Sequence, residues 1–179
     1  IQMLLPLHGF VWRQDLGYIL GKYDLWSRYE PEQRGVVIAY ASVYGGTENA
    51  ANILACRLRE QGVQVEMFDT SVTPASYILA AAFRFSHVVL AAPTYNGGVF
   101  VTMENLLHDL TAHGLKGRRA AYIENGSWAP TSARGMQKLL EPLNWETAAD
   151  TVTLRSALRQ GQQEDLERMA TQLAESVKA

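Results

Sequence analysis

Three apolar runs limit what this chain can become. They are "GVVIAYAS" (Gly35–Ser42), "HVVLAAP" (His87–Pro93) and "RRAAYIEN" (Arg118–Asn125). Their cores do not alternate between apolar and polar residues, so both faces of each must be covered, as in the inner strands of a parallel sheet. The intervening segments have helical periodicity. "TENAANILACRLREQG" (Thr47–Gly62) puts Ala50, Ile53, Leu54 and Leu58 on one side, with Gly62 as its stop. Helices are also expected over Thr73–Phe85, with Pro74 in the first turn, over Val101–Gly114, and over Ser132–Asn144 despite Pro142. A closing amphipathic helix is expected over Gln162–Val177. "VQVEMFD" (Val63–Asp69) alternates like a strand near a sheet edge, and "DTVTLR" (Asp150–Arg155) supplies a fifth strand. Five strands alternating with five helices predict an α/β fold: a parallel sheet, helices on both faces and right-handed crossovers.

Before this unit, Leu16, Ile19, Leu20, Tyr23 and Trp26 recur at helical spacing, and Asp15 is placed to cap that helix. "YEPEQRG" (Tyr29–Gly35) reads as a linker. The sequence opens on "IQMLLPLHGF", without Met and without the basic flank of a signal peptide, so the chain is expected to be a piece of something longer.

The 179 residues carry a net charge of −2, which gives no broad electrostatic case for nucleic acid. No apolar run reaches the roughly 18 residues that span a bilayer. A single cysteine, Cys56, rules out an internal disulfide and suits a reducing cytoplasm.

In sheets of this kind ligands bind beyond the carboxyl ends of the strands, at the switch point of strand order. Three loops fall there: "SVYGGTEN", "PTYNGG" and "ENGSWAP". The first joins a buried strand to a helix N-terminus, where free N–H groups and the helix dipole favour an anion. Gly45 and Gly46 let the backbone curl, and Ser42 and Thr47 add hydroxyls, with Thr47 also a candidate helix cap. The result is a neutral phosphate cradle. A triphosphate P-loop would require the absent GK[ST], and a dinucleotide fingerprint a different glycine spacing, although Asp69 lies roughly 20 residues on. Taken alone, the loop is equally compatible with an ordinary capped strand–helix turn. The second loop brings Pro93, Thr94, Tyr95, Asn96, Gly97 and Gly98, and the third Asn125, Gly126, Ser127 and Trp128. A flat ring between Tyr95 and Trp128 would gain stacking and burial. A phosphate cradle beside two aromatic loops asks for a flat, phosphorylated cofactor.

These residues resemble the flavodoxin family, which binds FMN, and more closely the flavodoxin-like domain of the flavodiiron proteins (A-type flavoproteins). "SVYGGTE" is similar to the family's phosphate loop, and "PTYNGG" and "ENGSWAP" to its two ring-flanking loops. "LLPLHGFVWR" (Leu4–Arg13) resembles the end of the preceding metallo-β-lactamase-like domain, with His8 at the position of its final iron-ligating histidine, and "LWSRYEPE" its interdomain helix and linker. The resemblance implies a flavodoxin-like three-layer sandwich with strand order 2-1-3-4-5. It divides the chain into residues 1–34, the end of the metal domain with helix and linker, and 35–179, an FMN-binding domain. It implies that Ser42, Val43, Tyr44, Gly45, Gly46 and Thr47 hold the phosphate, that Pro93, Thr94, Tyr95, Asn96 and Gly97 meet the ribityl chain and ring, and that Asn125, Gly126, Ser127 and Trp128 cover the other ring face. Gly46 departs from the Asn of many relatives, and "ENGSWAP" from a commoner Gly-Ser-Tyr-Gly-Trp pattern.

The function so implied is electron transfer, from rubredoxin or an NAD(P)H-linked reductase through FMN to the di-iron site of an oxygen or nitric oxide reductase. Such proteins form head-to-tail homodimers. The piece in hand is expected to bind no metal of its own, to carry no catalytic residue toward the gas, and to be cytoplasmic, with no nucleic-acid or membrane partner. The competing reading is an FMN-dependent NAD(P)H or quinone reductase on a similar fold. His87 is read as structural, His108 and His113 as five apart and so not on one helical face, His8 as inert without further ligands, and Cys56 as a packing residue.

Overall fold

The computed structural model describes all of residues 1–179. Helix α1 (Leu16–Ser27) precedes β1 (Gln33–Tyr40), α2 (Gly46–Glu60), β2 (Val65–Asp69) and α3 (Ala75–Arg84). Then come β3 (Phe85–Tyr95), the short β4 (Gly98–Val99), α4 (Val101–Ala112), β5 (Arg119–Asn125) and α5 (Ser132–Leu140). The chain ends with β6 (Glu146–Thr147), β7 (Val152–Leu154) and α6 (Gln160–Lys178).

The parallel sheet runs β2-β1-β3-β5-β6, with β7 also paired to β5. This is the expected order 2-1-3-4-5, but the fifth position is split. β6 pairs with the start of β5 and β7 with its end, and Ala148–Thr151 lies between them outside the ladder. "DTVTLR" therefore contributes three strand residues where six were expected. β4 was not foreseen: Asn96 and Gly97, both at positive φ, turn β3 back on itself so that Tyr95 pairs with Gly98. Two successive left-handed residues are what a tight hairpin of this twist requires, and Asn-Gly supplies them at least cost.

Consecutive strand residues serve opposite faces. Val36 and Ile38 join Leu54, Leu58, Leu166 and Leu173 in one core beneath α2 and α6. Val37 and Ala39 join Ile78, Leu106, Met136 and Leu140 in a second core beneath α3, α4 and α5. Both cores are predominantly apolar, which is why the strand centres read as apolar runs. Pro142 lies in the 3₁₀ turn Glu141–Leu143, so α5 stops at Leu140, before the residue that lacks an N–H.

The linker is held by Arg118. Its guanidinium is buried and donates to the carbonyls of Ala82 (2.7 Å), Phe83 (2.6 Å) and Tyr29 (2.6 Å). The first two belong to the last turn of α3, where orphan carbonyls and the dipole favour a cation. Glu32 accepts from Trp26 Nε1 at 2.6 Å and pairs with Lys22, tying α1 to the start of β1. Asp15 does not cap α1: it sits at φ 52 with no side-chain hydrogen bond to the helix. The arm before it closes on itself through Leu4 and Trp12, which exchange two 3.0 Å backbone bonds.

Candidate functional site

The chain leaves β1, passes through α2 on one face and β2 at the edge, and then crosses through α3 on the other face to β3. The strand order therefore reverses between the carboxyl ends of β1 and β3, the place where such sheets bind ligands. A cleft of about 490 Å³ opens there. It is lined by Ser42, Val43, Tyr44, Gly46 and Thr47 from the first loop, by Pro93, Thr94 and Tyr95 from the second, and by Asn125, Gly126 and Ser127 from the third. The three loops predicted from sequence thus meet in one cleft. Gly45, Asn96, Gly97 and Trp128 belong to the same loops but do not line it. A roomier apolar hollow of about 640 Å³ lies between α1, β2 and α3; its charged side chains form the ion pairs Lys22–Glu32 and Arg84–Glu66, although Arg84 Nε is buried without a hydrogen-bond partner.

The donors of the cleft are its main chemical property. Helix α2 begins at Gly46, and its first backbone bond inside the loop is Asn49 N–H to Gly45 O. The N–H groups of Ser42, Val43, Tyr44, Gly46, Thr47 and Glu48 donate to no protein acceptor. Gly45 adopts φ 83, and its N–H donates to Ser42 Oγ at 3.0 Å. Thr47 is therefore inside the helix and not its cap; its side chain is buried beside the cleft instead. No charged side chain lines the cleft. The nearby Tyr40 phenol is held protonated to higher pH by burial and by the carboxylates of Glu48 and Asp69.

The N-terminus of α5 differs. Thr94 Oγ1 accepts from the N–H of Thr131 (2.8 Å) and Ser132 (3.0 Å), and the Glu124 carboxylate accepts from Ala133 N–H (3.1 Å) and Thr153 Oγ1 (2.8 Å). That helix end is already supplied with a carboxylate, whereas α2 is not. An anion entering the cleft would meet the six free N–H groups around the start of α2.

The aromatics frame the mouth. Trp128 is 94% exposed and Tyr44 98% exposed, while Tyr95 is half exposed and packs edge-on against Phe100 at 5.5 Å. Sequence reasoning missed Ser156 and Ala157, which follow β7 and form a further wall. Topology alone could have found them, since every loop after a parallel strand lies on this edge, but "RSALR" has no glycine or aromatic to draw notice. His8 is exposed in the arm, and no three His, Cys, Asp or Glu side chains are grouped as metal ligands would be. No helix is long and apolar enough to cross a membrane.

No family model matches the chain. It is similar to a nitric oxide reductase of Moorella thermoacetica (29% identity; 79% of this chain, 34% of the relative). It is also similar to the anaerobic nitric oxide reductase flavorubredoxin of Vibrio vulnificus (25%; 86% of this chain, 31% of the relative). The chain thus spans about a third of the length of these relatives. Among solved structures, the rubredoxin oxygen:oxidoreductase of Desulfovibrio gigas superposes with a TM-score of 0.91 (22% identity; 99% of this chain, 44% of that one). The flavodiiron protein of Giardia intestinalis gives 0.87 (21%; 99% and 44%). A Streptococcus pneumoniae flavodoxin gives 0.68 (24%), with 79% of this chain covering 98% of that one. The chain is similar in sequence to these oxidoreductases over most of its length and in structure to the flavodiiron proteins, and its fold is flavodoxin-like.

Proposed function

We propose that the cleft binds FMN and that the chain is the electron-transfer part of a flavodiiron oxidoreductase. The observation that carries this reading is the set of unpaired N–H groups around Ser42–Glu48, at the switch point of the sheet, beside the two loops that present Tyr95 and Trp128. The donor set fits a phosphate monoester. It is neutral, dense in N–H groups, and opens into a cleft whose flanks are aromatic and largely apolar.

In this reading Ser42 to Thr47 grip the phosphate. Pro93, Thr94, Tyr95, Asn96 and Gly97 border one side of the ring system, and Asn125, Gly126, Ser127 and Trp128 the other. The flavin supplies reversible one-electron chemistry when bound. The protein's share is to hold the ring at the sheet's edge, to limit water on its covered faces, and to leave one margin open for electron exchange. The exposed Trp128 and Tyr44 suit a mouth that a ring, or a docking protein, would cover.

The resemblance and the names of the relatives support a wider setting. Electrons would arrive from rubredoxin or an NAD(P)H-linked reductase and leave for a di-iron site in a metallo-β-lactamase-like domain, of which residues 1–34 would be the end. A head-to-tail homodimer in the cytoplasm would bring flavin and iron together. The test is to load the purified chain with FMN, reduce it anaerobically, and follow reoxidation. Reduction through a rubredoxin and its reductase, with little direct reduction by NADH, is expected. Rapid direct oxidation of NADH with a quinone as acceptor would favour the reductase reading.

A further inference from the structure

The wall that follows β7 is tied to the phosphate loop by one side chain. Asn125 is buried at the end of β5. Its Oδ1 accepts from Ser156 N–H at 2.9 Å, and its Nδ2 donates to Ser156 O at 2.9 Å and to Thr47 Oγ1 at 3.3 Å. The amide therefore bonds both backbone groups of Ser156 and reaches the helix that carries the cradle. Ser156 is held at φ 67, a conformation serine seldom adopts unless its surroundings impose it. Its Oγ lies 2.8 Å from Ser127 Oγ, joining the same loop to the third wall.

Residue 46 leaves the space that this arrangement needs. A Cβ at Gly46 would collide with Ser156 O and lie 3.2 Å from Asn125 Nδ2. Gly46 has an ordinary helical backbone, so no conformational demand explains the glycine. The contact with Ser156 does. A side chain at 46 and the 156 loop in its present place exclude one another.

We propose that Asn125 is a positioning residue that locks the Arg155–Leu158 loop against the cradle, and that this loop, admitted by Gly46, is the fourth wall of the cofactor cleft. The inference rests on the FMN reading for its ligand. The lock itself is a property of the protein without ligand. Asn125 in this role acts through Ser156 and Thr47, and its amide has no hydrogen left for the cofactor.

The experiment combines a double-mutant cycle with amide exchange. Asn125→Ala, Gly46→Ala and the double variant are titrated with FMN, and hydrogen exchange of residues 155–158 is measured on each without FMN. The lock predicts faster exchange at Ser156 in both single variants and FMN affinity about 10- to 100-fold weaker in each. In the double variant the affinity loss should equal that of one single change and not the product, because a released loop no longer meets the methyl at 46. Unchanged exchange at Ser156, unchanged affinity in both single variants, or simple multiplication in the double variant would each overturn the proposal. Should Asn125→Ala fail to fold, Gly46→Ala tests the same contact from the other side. If the unaltered chain takes up no FMN, the cofactor reading fails, and the exchange result still decides the lock.

Discussion

Thr47→Val isolates the phosphate grip with little change of shape. The side chain is 2% exposed, so its hydroxyl can act only on groups inside the cleft wall. In the protein alone its single partner is Asn125 Nδ2, at a long 3.3 Å, and that amide keeps its 2.9 Å bond to Ser156 O when the hydroxyl goes. The stability loss without ligand should therefore stay within about 1 kcal/mol. With FMN bound, the hydroxyl would donate to an ionised phosphate, a bond of the charge-assisted kind, whose removal costs about 1.5–3 kcal/mol. That corresponds to a roughly 10- to 150-fold rise in Kd. The assay is quenching of flavin fluorescence on titration, with riboflavin as the control that lacks the phosphate. The cradle predicts a large loss for FMN and almost none for riboflavin. Equal losses for the two, or no loss for either, would refute the assignment of Thr47 to the phosphate.

Trp128→Ala should leave stability without ligand unchanged, since the ring is 94% exposed, yet weaken FMN binding by about 0.5–1.5 kcal/mol or shift its midpoint potential; identical affinity, spectrum and potential would remove Trp128 from the site. His87 is buried between Ser86 and Ser176, and burial, with the charges of Arg119 and Arg34, depresses its pKa from 6.5 to about 4. The unfolded chain binds this proton at a higher pH than the native one, so stability is full above pH 6.5 and falls toward pH 4. The loss is at most about 3 kcal/mol, and urea midpoints across that range should flatten in His87→Gln. Arg118→Met should cost roughly 2–4 kcal/mol, because it strips the charged donor from the carbonyls of Ala82, Phe83 and Tyr29; a urea-derived loss below 1 kcal/mol would show that solvent replaces it.

The sheet was legible because its inner strands are buried on both faces. Val36 to Ala39 can occupy no surface position, and the same holds for Val88 to Ala92, so the number and order of the main layers followed from the apolar runs. The donor-rich loop was legible because glycine and hydroxyl residues cluster between a strand and a helix. The capping was not. Thr47 read as a cap by residue type, but Gly45 at φ 83 starts the helix two residues earlier. The split of the fifth strand escaped because β6 and β7 are two and three residues long, too short to show a period. The fourth wall escaped because it is made by bonds between residues 31 apart in sequence, Asn125 and Ser156, and neither residue type announces its partner. Thr94 lines the cleft as its loop position suggested, and what the sequence did not show is that its Oγ1 also holds the start of α5.

The central claim is that this cleft holds FMN, and the absorption spectrum of the purified chain tests it most directly. After incubation with FMN and removal of free flavin, the chain should retain a flavin spectrum at about one equivalent, and Thr47→Val should lose it on dilution first. A chain that is colourless after incubation with excess FMN and removal of the free flavin would contradict the account.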